Sequence, residues 1–186
     1  MSKIYFATTN PGKIREAQNL LNVAVEGVGM DIDEVQSLDP VEVAVKKAES
    51  YYKELQKPIL IEDVSLTFKA LNKLPGTFID YFFKAVGNSG LVNLLENYTD
   101  RSAIAQTTLV FINEKGEKHV FEGTVEGSIS REEKGENGFG WDPIFIPEGE
   151  NKTFAEMIME EKAKYSMRAR AFEKLKNWIK INNVHD

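Results

Sequence analysis

The chain has 186 residues, enough to bury roughly 70% of the surface an unfolded chain exposes and to build a core without disulfides. Its 42% hydrophobic and 28% charged residues exclude the disordered, collagenous and coiled-coil classes. With 23 basic against 29 acidic residues the net charge is −6, a surface that repels duplex nucleic acid and anionic membrane, so neither is expected as a partner.

The absence of cysteine excludes thiol nucleophiles, zinc–thiolate sites and iron–sulfur clusters together. His119 and His185 are the only histidines, so neither a serine–histidine triad nor a His-rich metal site is expected. The segment from Met1 to Phe6 carries one charge and too short an apolar run for a signal peptide. No run approaches the ~18 apolar residues of a membrane span. The expected location is the cytoplasm.

In chain order, residues 3–7 read as a short buried strand. A turn at residues 8–12 leads into a helix with Ile14, Ala17 and Leu21 inward. Residues 24–28 form a candidate second strand. Residues 41–55 have the clearest helical period, with Val41, Ala44, Val45, Ala48, Tyr51, Tyr52 and Leu55 on one stripe and Asp39-Pro40 as the start signal. A buried strand is expected over 58–62, and a separate apolar segment over 66–68. After the Leu74-Pro75-Gly76 turn, short helices are expected near 78–85 and 90–98. Residues 103–112 and 118–125 flank Asn113-Glu114-Lys115-Gly116 as a hairpin. A polar, glycine-rich stretch (130–140) precedes the apolar run 143–146. A final helix runs from Ser166, a candidate N-cap, to about Ile181, with Phe172, Leu175 and Ile179 inward. No repeat or linker interrupts the chain, which reads as one domain of the α/β class with a mixed sheet.

Four constellations carry candidate chemistry. Thr8-Thr9-Asn10-Pro11-Gly12-Lys13 sits at a strand-to-helix junction, where free N–H groups, hydroxyls and a lysine make a phosphate cradle. The same residues also read as an N-cap followed by proline, with Lys13 solvated. Glu62-Asp63 follows a hydrophobic strand, with Glu34 in the acidic stretch upstream. Such carboxylates bind Mg²⁺ or take a proton from water, or are simply solvated. Gly138-Phe139-Gly140-Trp141-Asp142-Pro143 offers aromatics for stacking on a base and a carboxylate for ring N–H groups, and reads equally as a core aromatic in a tight turn. Lys162 and Ser166-Met167-Arg168 stand at the head of the last helix, where Arg168 is a candidate for a base oxygen or a phosphate, or plain surface charge.

In this order along one chain, with Thr153-Phe154-Ala155-Glu156-Met157 between the last two, the motifs resemble the inosine triphosphate pyrophosphatase family. The resemblance spans residues 8 to 168, and Phe139–Pro143 is its most specific part. It implies a two-lobed α/β fold with a nucleotide cleft between the lobes, a homodimer, and Mg²⁺-dependent hydrolysis of ITP, dITP or XTP to monophosphate and pyrophosphate. Carried over, Thr8, Thr9, Asn10, Lys13 and Lys47 resemble the triphosphate binders, Glu34 and Asp63 the metal ligands, and Asp63 the catalytic acid. Phe139, Trp141 and Asp142 resemble the base loop, and Lys162, Ser166 and Arg168 a second base- and phosphate-facing group. The family usually has His where this chain has Met167, and a small hydroxyl and Gly where it has Val64-Ser65. A thioether cannot donate a hydrogen bond, so a shallower preference for ITP and XTP over ATP and GTP is expected. A pyrophosphatase with another base preference and a non-catalytic nucleotide-binding module are the alternatives.

Overall fold

A computed structural model describes residues 3–182; Met1, Ser2 and His185 lie outside them. Its elements are β1 (Ile4–Phe6), α1 (Pro11–Leu21), β2 (Val25–Gly27), α2 (Pro40–Leu55), β3 (Ile59–Phe68), β4 (Pro75–Gly76), α3 (Ile79–Asn93), β5 (Ser102–Ile112), β6 (Lys118–Ile129), β7 (Phe145–Pro147), α4 (Met159–Tyr165) and α5 (Met167–Ile181). The strands form one mixed sheet in the order β2-β1-β3-β5-β6-β7, with β4 pairing β3.

The chain divides into two compact units. The first comprises the described residues up to Asp63, Thr107–Gly123, and Arg168 onward. Here β1 pairs in parallel with β2 (Ile4 opposite Val25) and with β3 (Tyr5 opposite Ile59). Successive residues of a strand point to opposite faces, and the packing follows that rule. Leu60, Leu109 and Phe111 join Ala17 and Leu21 of α1 and Phe172, Leu175 and Ile179 of α5 in one cluster. Ile59, Ile61, Val110 and Ile112 join Ala44, Ala48 and Tyr51 of α2 in another. The sheet is covered on both faces, which is why residues 59–61 are an unbroken apolar run.

The second unit comprises Val64–Gln106 and Thr124–Met167. In it β4 pairs antiparallel with the end of β3 (Leu66 opposite Gly76), and β7 with the end of β6 (Ile129 opposite Phe145). One core joins Leu66, Phe68, Ile79, Leu91, Val125, Trp141, Phe145, Phe154 and Met167.

Three expectations need correction. The two segments expected over 58–62 and 66–68 fall in one ten-residue strand, Ile59–Phe68, because the charge of Glu62 is neutralised by partners outside the strand and need not end it. Pro75-Gly76 is a short strand within the expected turn. Two short helices are present as expected, joined in α3 at Gly87, whose backbone is non-helical (φ 66°, ψ −174°), and only the end of the second differs, at Asn93 instead of 98. Helix α4 was not foreseen: its residues are Met-Glu-Glu-Lys-Ala-Lys-Tyr and none is buried, so it has no apolar stripe to announce it.

Candidate active site

In the first unit, the loop after β1 opens α1. Asn10 caps the helix: its Oδ1 accepts from the N–H of Gly12 (2.9 Å) and of Lys13 (3.4 Å), and Pro11 occupies the first turn. The Thr8 hydroxyl accepts from the Asn10 N–H at 3.2 Å. The N-cap reading therefore describes this turn, whose first-turn N–H groups already have protein acceptors. Lys13, however, is not simply solvated. Its ammonium lies 3.0 Å from Oε1 of Glu62, with 26% of the lysine side chain and 1% of the glutamate side chain exposed.

Arg168, in the first turn of α5, meets the same carboxylate from another element. Its Nε donates to Glu62 Oε2 and its Nη2 to Oε1, both at 2.8 Å, and Nη1 donates to Glu16 Oε2 at 2.8 Å. This two-pronged pairing is the strong form of an arginine–carboxylate contact. Burial alone would push the Glu62 carboxyl up, but Arg168 and Lys13 together hold it below the usual glutamate range. Burial likewise disfavours the Arg168 cation, and the Glu62 and Glu16 carboxylates outweigh it, leaving the guanidinium more firmly protonated than usual. Two cations and two carboxylates thus close on one another.

Asp63 follows Glu62 on β3, so its side chain leaves the sheet on the opposite face, the one covered by α2. That face carries Lys47, whose ammonium lies 2.5 Å from Oε1 of Glu34. Burial pulls the Lys47 pKa down, while the hydrogen bond and charge of Glu34 and the charge of Asp63 raise it above the ordinary lysine value. One turn on, the Tyr51 hydroxyl accepts from the Met30 N–H at 3.3 Å. An open recess of about 630 Å³ is lined by Thr8, Thr9, Gly29, Met30, Asp31 and Tyr51. It lies beyond the C-terminal ends of parallel strands β1 and β2, where open α/β sheets take their ligands.

Lys13 and Arg168 gather on Glu62, while Lys47 pairs with Glu34 and feels the charge of Asp63. Among the described residues no three His, Asp or Glu side chains gather as a metal cage. Mg²⁺ is usually held by one or two carboxylates plus waters and substrate phosphates, so the pair Glu34 and Asp63 fits that ion as a donor set.

In the second unit, the loop 138–142 is built around one buried carboxylate. Asp142 Oδ2 accepts from the Phe139 N–H at 2.9 Å and from Lys162 Nζ at 2.6 Å. The Lys162 ammonium also lies 5.4 Å from the Phe139 ring centroid and 5.2 Å from that of Phe154. Phe139 is 58% exposed, whereas Trp141 is 8% exposed and packs edge-on against Phe145 in the core. The two aromatics of the motif thus divide: Phe139 faces outward and Trp141 anchors the loop. Residues 153–157 hold the loop from behind. The Asn137 N–H donates to the Ala155 carbonyl, and the Thr153 hydroxyl donates to that of Lys134. Asn88, just past the break in α3, donates from Nδ2 to the Gly140 carbonyl at 2.9 Å.

Ser166 immediately precedes α5 and is buried; Met167 is buried in the core of the second unit. Sequence reasoning gave no role to Glu62 beyond its neighbour's, nor to Glu16 or Asn88. For Glu16 the only signal was its i,i+3 spacing from Lys13 on α1. Nothing in the sequence linked Asn88 to a loop some fifty positions away.

The Ham1 family model matches residues 4–178. A Methanopyrus kandleri protein named dITP/XTP pyrophosphatase is 42% identical over 185 residues, covering 98% of each chain. A Candida glabrata protein named inosine triphosphate pyrophosphatase is 37% identical, covering 96% of this chain and 97% of that one. Among solved structures, a HAM1 protein from Coxiella burnetii matches with a TM-score of 0.87 at 33% identity, over 97% of this chain and 99% of that one. The chain belongs to the Ham1 family.

Proposed function

We propose that this chain hydrolyses non-standard purine nucleoside triphosphates (ITP, dITP and XTP) to the monophosphate and pyrophosphate, removing deaminated purines from the nucleotide pool. The observation that carries this reading is the 42% identity, across 98% of both chains, to a relative named for that activity. The charged groups built into each unit supply the required chemistry. The balance is NTP + H₂O → NMP + pyrophosphate, by attack of water on the α-phosphorus.

Thr8, Thr9, Asn10, Lys13 and Lys47 bind the triphosphate, the two lysines offsetting its charge as it develops on the leaving group. Glu34 and Asp63 would hold Mg²⁺, which when bound neutralises phosphate charge. Asp63 takes the proton of the attacking water. Phe139 stacks on the base, with Trp141 and Asp142 holding its loop in place. Lys162, pinned by Asp142, donates to the C6 oxygen of hypoxanthine or xanthine. Adenine presents an amino group there, which cannot accept that bond. Ser166 and Arg168 complete the group at the head of α5.

We read the chain as a single domain, and the sharing of β3, β5 and β6 between the two units supports that reading. A cytoplasmic homodimer is the assembly we infer. The lack of cysteine supports the compartment, and no described helix is long and apolar enough to cross a membrane. The exposed Tyr81 and Val86 of α3 offer apolar surface for self-association, which sedimentation would detect. Pyrophosphate release from ITP, XTP, ATP and GTP, with and without Mg²⁺, tests the reaction. Release from ITP exceeding that from ATP supports it, and no release from any of the four refutes it.

A further inference from the structure

We propose that Asn88 is a positioning residue for the base: by holding the Gly140 carbonyl it fixes the backbone that presents Phe139 to the purine. The inference rests on the function proposed above and deepens it. Asn88 follows Gly87, whose φ of 66° and ψ of −174° lie in a region that essentially only glycine enters. The break lets a new helical segment begin at Asn88. An asparagine at such a start ordinarily caps its own helix, its Oδ1 accepting from first-turn N–H groups. Here Oδ1 has no hydrogen-bond partner among the described residues, although Asn88 is only 8% exposed. A buried acceptor left unpaired costs stability, so capping does not account for this side chain, and its contacts lie elsewhere.

Its Nδ2 donates to the Gly140 carbonyl at 2.9 Å, with Glu133 Oε2 at 3.5 Å from the same nitrogen. Both neighbours are acceptors, so the nitrogen end of the amide faces the loop. Gly140 has φ +62°, and a Cβ built there would meet nothing within 4 Å. Packing around its α-carbon therefore does not hold that backbone in place, and the bond from Asn88 does. On the other side, the Phe139 N–H is tied to Asp142 Oδ2 at 2.9 Å. The two bonds bracket the Phe139-Gly140 pair. Phe139 is 58% exposed, so its ring takes its direction largely from the backbone that carries it. With the bracket closed, the ring is ordered before the base arrives, and opening one end adds an ordering cost to base binding. Lys13 and Lys47, the triphosphate binders, belong to the first unit, outside the bracket.

The test uses Asn88→Leu, which keeps the branching of the side chain and removes both its donor and its unpaired oxygen. Asn88→Ala is the second variant should the first fail to fold. In either, KM for ITP should rise about three- to tenfold, the equivalent of one lost hydrogen bond, with kcat nearly unchanged. The inhibition constant of inorganic tripolyphosphate, which carries no base, should stay at the parental value. An unchanged KM, or equal weakening of ITP and tripolyphosphate, overturns the proposal. Hydrogen exchange of the unliganded chain gives a reading that needs no substrate. The segment 138–142 should exchange faster in the variant, while β5 keeps the parental rate. A loop that exchanges as in the parent overturns the proposal. If the parent releases no pyrophosphate from ITP while the loop exchanges faster in the variant, the proposed reaction fails and the hold of Asn88 on the loop stands.

Discussion

Replacing Gly138 by alanine tests the base loop at its tightest point. Gly138 has φ +78°, and a Cβ built there would lie 2.1 Å from Asp142 Oδ2. The left-handed backbone costs an L residue about 1–2 kcal/mol. The clash expels the carboxylate from its contacts with the Phe139 N–H and Lys162, and losing one charge-assisted hydrogen bond costs about 1.5–3 kcal/mol. The sum is about 2.5–5 kcal/mol, divided between folding and binding. We expect KM for ITP to rise about 10- to 100-fold, since each 1.4 kcal/mol is a factor of ten, with a thermal midpoint lower by a few degrees. Gly140→Ala is the control: φ is +62°, but nothing lies within 4 Å of its Cβ. Only the backbone cost should remain, so its KM should rise far less. Steady-state kinetics and differential scanning fluorimetry on both variants supply the comparison. Equal KM values for the two would refute the claim that the Asp142 carboxylate organises this loop.

Asp63→Asn is expected to remove most turnover while leaving nucleotide binding, measured by calorimetry, largely intact; near-parental kcat would contradict its role as the base. Lys162→Met should narrow the ITP-over-ATP ratio of kcat/KM by about 10- to 100-fold, the equivalent of one unpaired polar group at ~1–3 kcal/mol. An unchanged ratio would place base selection elsewhere. The Glu62 carboxyl is held below its ordinary value of 4.5 in the folded chain. Its contribution to stability is therefore complete above about pH 4.5 and is lost as pH falls through the lower folded value. Acid unfolding followed by circular dichroism should show a shallower acid limb in Glu62→Gln, and superimposable limbs would count against the depressed pKa.

Much of this fold was legible because its signals are local. Asp39-Pro40 and the stripe of α2, the cap of α1 and the hairpin turn of β5 and β6 each declare themselves within a few residues. What was hidden depends on partners far along the chain. Glu62 and Asp63 read as a strand end because two acids in sequence suggest solvent, yet Arg168, over one hundred positions away, lets β3 continue through them. Phe139 and Trp141 are indistinguishable as a motif, and only packing against Phe145 sends one of them inward. Met167 illustrates the same limit, since its burial among core side chains explains an apolar residue there without reference to any base.

Hydrolysis of ITP in ¹⁸O-labelled water tests the central claim most directly, because it reports which phosphorus the water attacks. Attack at the α-phosphorus predicts one labelled oxygen in IMP, unlabelled pyrophosphate, and equal molar yields of the two. Label in the pyrophosphate, or release of orthophosphate in its place, would contradict the account.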